Sequence, residues 1–461
     1  MTASSSNSTE ASSQLAHDAL VTPRSVRLSK TAPRCNPSEY LTDPMLRKMT
    51  KGTRRIPRIL PLSIQHKLRD NGSFRSIADS LVTSVAIPLG ALTCPSAAKD
   101  FVRLSKNFTQ LRYGDHESQF IDVFFPDTES LKTQKARGMV FFVHGGAWGS
   151  GKPWFYRLVA KPFLEVGLAV AVVGYRVYPL CGSPGKNRGG VLTQVDDLDA
   201  AFAKLAGEYP EWCDKDFEDR FVSDANPGIA KPNKQNSHHI PHLGTIVMGH
   251  SSGAHISLLW MVEESQKRIL GGSSKEKNVP TIDAFVGVSG VYNINYHFDY
   301  EAGRGVEEIS PMKPACGYDR KSFNRNSPPW KVQHELLRKL DETKRDGLLS
   351  NTRFPGRILM IHGSEDDVVP LPGTGEAVKA LRECLGGVPS KNGGGDIIID
   401  EFYTPTGHQE TVVDLMMLGG QGPVTRTVVE WILDGNRQLL QNKRRKIQQK
   451  VDFQNTMRSK L

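Results

Sequence analysis

A series of short apolar runs constrains this chain more than any other feature: MVFFV, LAVAVVGY, TIVMG, DAFVGVSG, RILMIHG and DIIIDEFY. Each is of strand length and rich in β-branched residues, and several end on a glycine or a turn. An earlier segment, SQFIDVFFP, reads as a further strand, followed by the loop DTESLKTQKARG. Between the runs lie longer amphipathic stretches such as LTQVDDLDAAFAKLAGEY and GTGEAVKALRECLG. Strands alternating with helices specify an α/β protein, its mostly parallel sheet covered on both faces. In such sheets ligands sit beyond the carboxyl ends of the strands, so the chemistry belongs just after each run.

The flanks differ from this body. Residues 1–40 are rich in Ser, Thr, Pro and Asn and read as a disordered polar arm. Residues 41–100 form a basic, partly apolar segment, residues 101–435 the catalytic-type body, and residues 436–461 a basic tail. Thr22 to Arg75 carries 13 Lys and Arg against three acids, and Asn436 to Leu461 carries eight against one. The net charge of +10 therefore belongs to the ends, and the body is mildly acidic. This argues against a nucleic-acid groove in the body and leaves the arms free for peripheral contact with an anionic membrane. Ser80 to Ala98 is uncharged over about the length of a membrane span but contains Pro88 and Pro95. It reads first as a buried or surface-lying segment, with a membrane anchor as the alternative. The N-terminus lacks an apolar signal core, and six scattered cysteines show no C-x-x-C. The expectation is an intracellular protein, cytoplasmic or associated with endomembranes, and not secreted.

Two motifs follow strand-like runs. Gly249-His250-Ser251-Ser252-Gly253 is a G-x-S-x-G between a strand and a helix, where a sharp turn lifts the Ser251 hydroxyl clear of the backbone. Ser252 then offers its N–H at the helix N-terminus. A base is available in His408, within FYTPTGHQE. The acids Glu365, Asp366 and Asp367, within IHGSEDDVVP, compete to orient it. The order serine, acid, histidine is that expected for a serine nucleophile on a doubly wound sheet. The stretch FFVHGGAWGSGK has two readings. Gly146 to Lys152 fits most of a phosphate loop, but Pro153 stands where a magnesium-binding hydroxyl belongs. For acyl transfer it serves well: Gly145 and Gly146 expose backbone N–H groups that, with Ser252, would hold an oxyanion.

These motifs resemble those of α/β-hydrolases of the hormone-sensitive-lipase-like carboxylesterase group. Within it the chain is most similar to isoprenylcysteine (prenylcysteine) methylesterases, with kynurenine formamidases as near relatives. The likeness lies in RYGDHESQFIDVFFP, HGGAW, GYRVYP, GHSSGAH, SGVYNIN, HGSEDDVVP and TGHQE, from about Leu111 to Leu433. It implies an α/β-hydrolase fold with a lid insertion. It also implies a triad of Ser251, Asp366 and His408, and an oxyanion hole of Gly146, Ala147 and Ser252, with no cofactor and no metal. The implied activity is that of a serine carboxylesterase, on a prenylcysteine methyl ester or another small or lipid-modified ester. An N-formylkynurenine formamidase-like arylformamidase and a non-catalytic ligand receptor are the alternatives. The chain departs from the pattern at Ser252, usually Ala, and in the long polar insert from Cys213 to His242. The methylesterase relatives also carry clearer N-terminal membrane spans than Ser80 to Ala98.

The other marked residues have plainer readings. His144 holds the glycine loop, and His250, His255 and His362 are structural. His238, His239 and His242 sit in a polar loop without the acids or cysteines of a metal site. Asp196, Asp197 and Asp199 read as first-turn acids complementing a helix dipole. Trp148, Tyr178 and the excursion from Tyr292 to Gly347 are the expected pocket walls, the excursion lying where a lid would sit.

Overall fold

The structure, a computed structural model, describes residues 61–71, 94–132, 134–184, 189–214, 240–269, 281–336, 353–385, 397–417 and 422–434. The polar arm, most of Ser80 to Ala98, His238 and His239, the end of the excursion and the basic tail lie outside the described residues.

Eight strands form one sheet: β1 (Thr109–Arg112), β2 (Phe120–Phe124), β3 (Arg137–Val143), β4 (Ala169–Val173), β5 (His242–His250), β6 (Ile282–Val288), β7 (Arg357–Gly363) and β8 (Ile398–Thr404). Their spatial order is β1-β2-β4-β3-β5-β6-β7-β8. β1 and β2 pair antiparallel, β2 runs antiparallel to β4, and every other pairing is parallel. This is the α/β-hydrolase arrangement. The longer helices are α1 (Leu62–Asp70), α2 (Pro95–Lys106), α3 (Val191–Glu208), α4 (Ser252–Ile269), α5 (Ile294–Arg304), α6 (Pro372–Leu385), α7 (His408–Met417) and α8 (Pro423–Leu433). None of the described helices is long and apolar enough to cross a membrane.

Strand alternation sends successive side chains to opposite faces, and both faces are covered. Phe141 and Ala171 enter the core under α3, α4 and α6, while Phe142 and Val170 enter the core under α2, α7 and α8. Full burial of one such phenylalanine contributes about 1.5–3 kcal/mol, so these doubly covered strands dominate the stability. Helix α2 begins at Pro95 and packs Ala97 and Leu104 into the second of these cores.

One expectation fails. Helix α3 starts at Val191, so Asp196, Asp197 and Asp199 lie beyond its first turn, which holds no acid. They do not cap the dipole. Asp197 instead takes Arg176, with Nη2–Oδ1 at 2.5 Å, and Asp199 accepts from Trp260 Nε1 at 3.0 Å.

The strand order also locates the site. From β3 the chain moves outward to β4, then returns to β5 on the other side of β3. Loops leaving β3 and β5 must therefore diverge, which opens a crevice between them at their carboxyl ends. The loop after β3 is His144–Gly151, and the residue after β5 is Ser251.

Candidate active site

Ser251 occupies the turn between β5 and α4 with φ of 55°, a left-handed conformation for a residue with a side chain. Such a conformation costs about 1–3 kcal/mol and persists only when its surroundings enforce it. Here the Ser251 N–H donates to Val288 O at 2.9 Å, and Ser251 O accepts from the N–H groups of Ala254 and His255. The flanking glycines leave no room for side chains. A Cβ on Gly253 would lie 2.2 Å from Val143 O, and one on Gly249 would lie 2.6 Å from Ala254 N. The elbow is thus jammed between the end of β3 and the first turn of α4.

Ser251, His408 and Asp366 come from three distant loops and meet. His408 Nε2 lies 2.9 Å from Ser251 Oγ, and His408 Nδ1 lies 2.7 Å from Asp366 Oδ2. A carboxylate only accepts, so Nδ1 carries the proton and Nε2 is left to accept from the serine hydroxyl. All three are buried. Of the competing acids, Glu365 and Asp367 are exposed. Gly363 permits the meeting: a Cβ there would stand 2.1 Å from Thr406 O, in the loop that carries His408.

Asp366 is held on every side. Its Oδ1 accepts from Val368 N at 2.9 Å and Val369 N at 2.7 Å. Its Oδ2 also lies 3.3 Å from His362 Nε2. Burial works to raise its pKa, but the hydrogen bonds of His362 and His408 outweigh it and hold the carboxyl well below its usual range. His362 is itself fixed, donating from Nε2 to Val369 O at 2.9 Å and accepting at Nδ1 from Thr374 Oγ1 at 2.7 Å. This support was not evident from the sequence, where the one mark of it is that His362 opens the same motif four residues before the acid.

The glycine loop faces the serine. A Cβ on Gly145 would lie 3.0 Å from Ser251 Cβ, and one on Gly146, with φ of 134°, would lie 2.2 Å from Ser150 O. Ala147 and Trp148 are also left-handed, with φ of 51° and 60°. The loop is pinned from behind. Trp148 O accepts from Tyr178 N at 2.7 Å and from Gln194 Nε2 at 2.9 Å. Trp148 Nε1 donates to His255 Nδ1 at 3.0 Å, and His255 Nε2 donates to Asn326 O at 2.7 Å. His144 stacks on Tyr175 with centroids 4.4 Å apart and donates to Gly145 O at 2.8 Å. Among the described residues, no hydrogen bond engages the backbone N–H of Gly146, Ala147 or Ser252.

The remaining histidines near the site are poor proton carriers. Burial, aided by neighbouring His408, pushes His250 down to about 3, and burial pushes His255 down to about 4. His242 binds Glu211 O through Nε2 at 2.9 Å. Among the described residues no group of side chains could hold a metal ion. Of the expected pocket walls, Trp148 is buried, and Tyr178 donates its hydroxyl to Asp70 of α1 at 2.7 Å.

No family model matches the chain. A probable isoprenylcysteine alpha-carbonyl methylesterase of Arabidopsis thaliana is 24% identical over 328 residues, covering 71% of this chain and 56% of the relative. The isoprenylcysteine alpha-carbonyl methylesterase of the same plant is 25% identical over 280 residues, covering 60% of this chain and 52% of the relative. The chain is a sequence relative of isoprenylcysteine alpha-carbonyl methylesterases. It spans little more than half the length of these two curated relatives. Among solved structures, esterase B of Lactobacillus rhamnosis overlays with a TM-score of 0.43 at 15% identity, covering 80% of this chain and 99% of that one.

Proposed function

We propose that this protein is a serine hydrolase that cleaves a carboxylic ester through an acyl-enzyme, with a prenylcysteine methyl ester as the substrate class. The observation that carries the reading is the unbroken chain Asp366–His408–Ser251, ending beside three unengaged backbone N–H groups. Ser251 Oγ attacks the ester carbonyl while His408 Nε2 takes its proton. Asp366 keeps the imidazole in the required tautomer and stabilises its charged form. The N–H groups of Gly146, Ala147 and Ser252 bind the oxygen as it becomes negative, each worth roughly 10²–10³ in turnover. His408 then protonates the leaving alcohol, and a water activated by the same nitrogen releases the acid. The choice of ester draws on the methylesterase relatives.

The test is turnover of short p-nitrophenyl esters and of a prenylcysteine methyl ester by the purified protein and by Ser251→Ala. We expect turnover by the parent protein and a fall of about 10⁴-fold or more in the variant. Equal rates from the two would end the proposal.

A further inference from the structure

We infer that His255 is a positioning residue of the oxyanion hole: through the Trp148 indole it fixes the loop that presents the Gly146 and Ala147 N–H groups. This rests on the ester-hydrolase reading and adds a residue to its machinery. Ala147 and Trp148 stand side by side in the left-handed region, with φ of 51° and 60°. Residues with side chains keep that conformation only where their surroundings enforce it. The turn closes on itself at Gly146 O, which accepts from Gly149 N at 3.0 Å and from Ser150 N at 2.9 Å. Trp148 is held from outside. Its carbonyl accepts from Tyr178 N and Gln194 Nε2, and its indole N–H donates to His255. With both the carbonyl and the indole fixed, the Trp148 backbone cannot swing, and Ala147 is bonded directly to it.

Each nitrogen of His255 has one possible role. An indole N–H only donates, so Nδ1, 3.0 Å from Trp148 Nε1, accepts. A carbonyl only accepts, so Nε2, 2.7 Å from Asn326 O, donates. The ring is therefore the neutral Nε2–H tautomer, and its full burial keeps it neutral. It meets the Trp148 ring edge to face, with centroids 5.4 Å apart and planes at 85°. Asn326 is itself fixed, donating from Nδ2 to Cys316 O at 2.7 Å. His255 also belongs to the elbow. It lies in the first turn of α4, and its N–H donates to Ser251 O at 3.2 Å. One side chain thus ties together the helix behind the nucleophile, the glycine loop and the excursion from Tyr292 to Gly347. The near end of the loop abuts the nucleophile, since a Cβ on Gly145 would lie 3.0 Å from Ser251 Cβ. Displacing the loop would carry its donors away from the oxygen of the Ser251 adduct, and a misplacement of about 1 Å costs on the order of 10²-fold in rate.

The experiment compares p-nitrophenyl acetate with p-nitrophenyl thionoacetate, in which sulfur replaces the carbonyl oxygen. Sulfur is a weak hydrogen-bond acceptor, so the ester draws on the oxyanion hole far more than the thionoester does. Both are measured on one preparation, so any loss of folded protein cancels from the ratio of their kcat/KM values. In His255→Leu the ester-to-thionoester ratio should fall about ten-fold or more. His255→Asn, whose amide oxygen can stand where Nδ1 does, should keep most of it. Trp148→Phe removes the same bond from the other side and should lower the ratio as far, with the double variant Trp148→Phe, His255→Leu no lower than either single one. An unchanged ratio in His255→Leu, or equal falls in His255→Leu and His255→Asn, overturns the inference. If His255→Leu yields no folded protein, the other two single variants decide it. A fall in Trp148→Phe with retention in His255→Asn supports the inference, and an unchanged ratio in Trp148→Phe overturns it. Where the parent protein cleaves the ester in a Ser251-dependent way, such a result leaves the esterase reading standing. A parent protein that cleaves neither compound in that way ends the esterase reading, and the positioning role with it.

Discussion

Asp197 and Asp366 are both 1% exposed, both carry several hydrogen bonds, and both sit in loop-and-helix packing around one sheet. Their partners set them apart. Asp197 is clamped by the Arg176 guanidinium and its backbone N–H, with Gln119 Nε2 at 2.8 Å. Arginine never releases its proton at ordinary pH, so this arrangement is static and ties the crossing loop to α3. Asp366 meets two imidazoles, and one of them continues to a serine hydroxyl. Imidazole gains and loses a proton within the working pH range, so the same burial and hydrogen bonding can serve proton transfer. Burying an acid with good donors builds a strut or a relay, according to whether its partner titrates.

Substitution at the two acids sharpens this contrast. Asp366→Asn should lower kcat on p-nitrophenyl esters by about 10³–10⁴-fold, because an amide no longer selects the Nδ1–H tautomer. Its melting temperature should change far less than its rate. Asp197→Ala should do the reverse. It leaves Arg176 beside a buried gap and should cost about 3–5 kcal/mol in urea unfolding, with kcat per folded molecule within a few-fold of the parent. A Asp197→Ala protein with full stability and no activity would break the distinction.

The buried histidines give a smaller, pH-dependent effect. His255 is held at about 4 in the folded protein against 6.5 in the free chain. Between those values the unfolded chain binds the proton and the folded one does not, so stability falls as pH drops from 6.5 to 4 and is unaffected by His255 above that window. The slope reaches at most about 1.4 kcal/mol per pH unit for this one residue. Urea unfolding at a series of pH values should show a shallower decline in His255→Gln than in the parent chain.

Much of the architecture was legible in the sequence because the central strands are buried on both faces and must be continuously apolar. β1 was not, since TQLR is an exposed antiparallel edge with no apolar run to mark it. Helix α3 was misjudged at its start. It opens after Gly190, a left-handed residue at 59°, without a capping side chain to signal where the first turn lies. The serine and the glycine loop stood out because backbone geometry demands glycine around them, and the histidine because it follows the last strand-like run. The acid did not stand out among Glu365, Asp366 and Asp367, because only the fold decides which side chain turns inward. The bond from His362 to Asp366 joins residues four apart in one motif, but only tertiary burial turns both side chains inward to meet.

The central claim is that His408 makes the Ser251 hydroxyl a nucleophile, and a fluorophosphonate probe followed by peptide mapping tests it most directly. The account predicts a single phosphonyl adduct on Ser251, absent in Ser251→Ala and formed far more slowly in His408→Ala. An unlabelled protein, or an adduct on Ser252 or another hydroxyl, would contradict it.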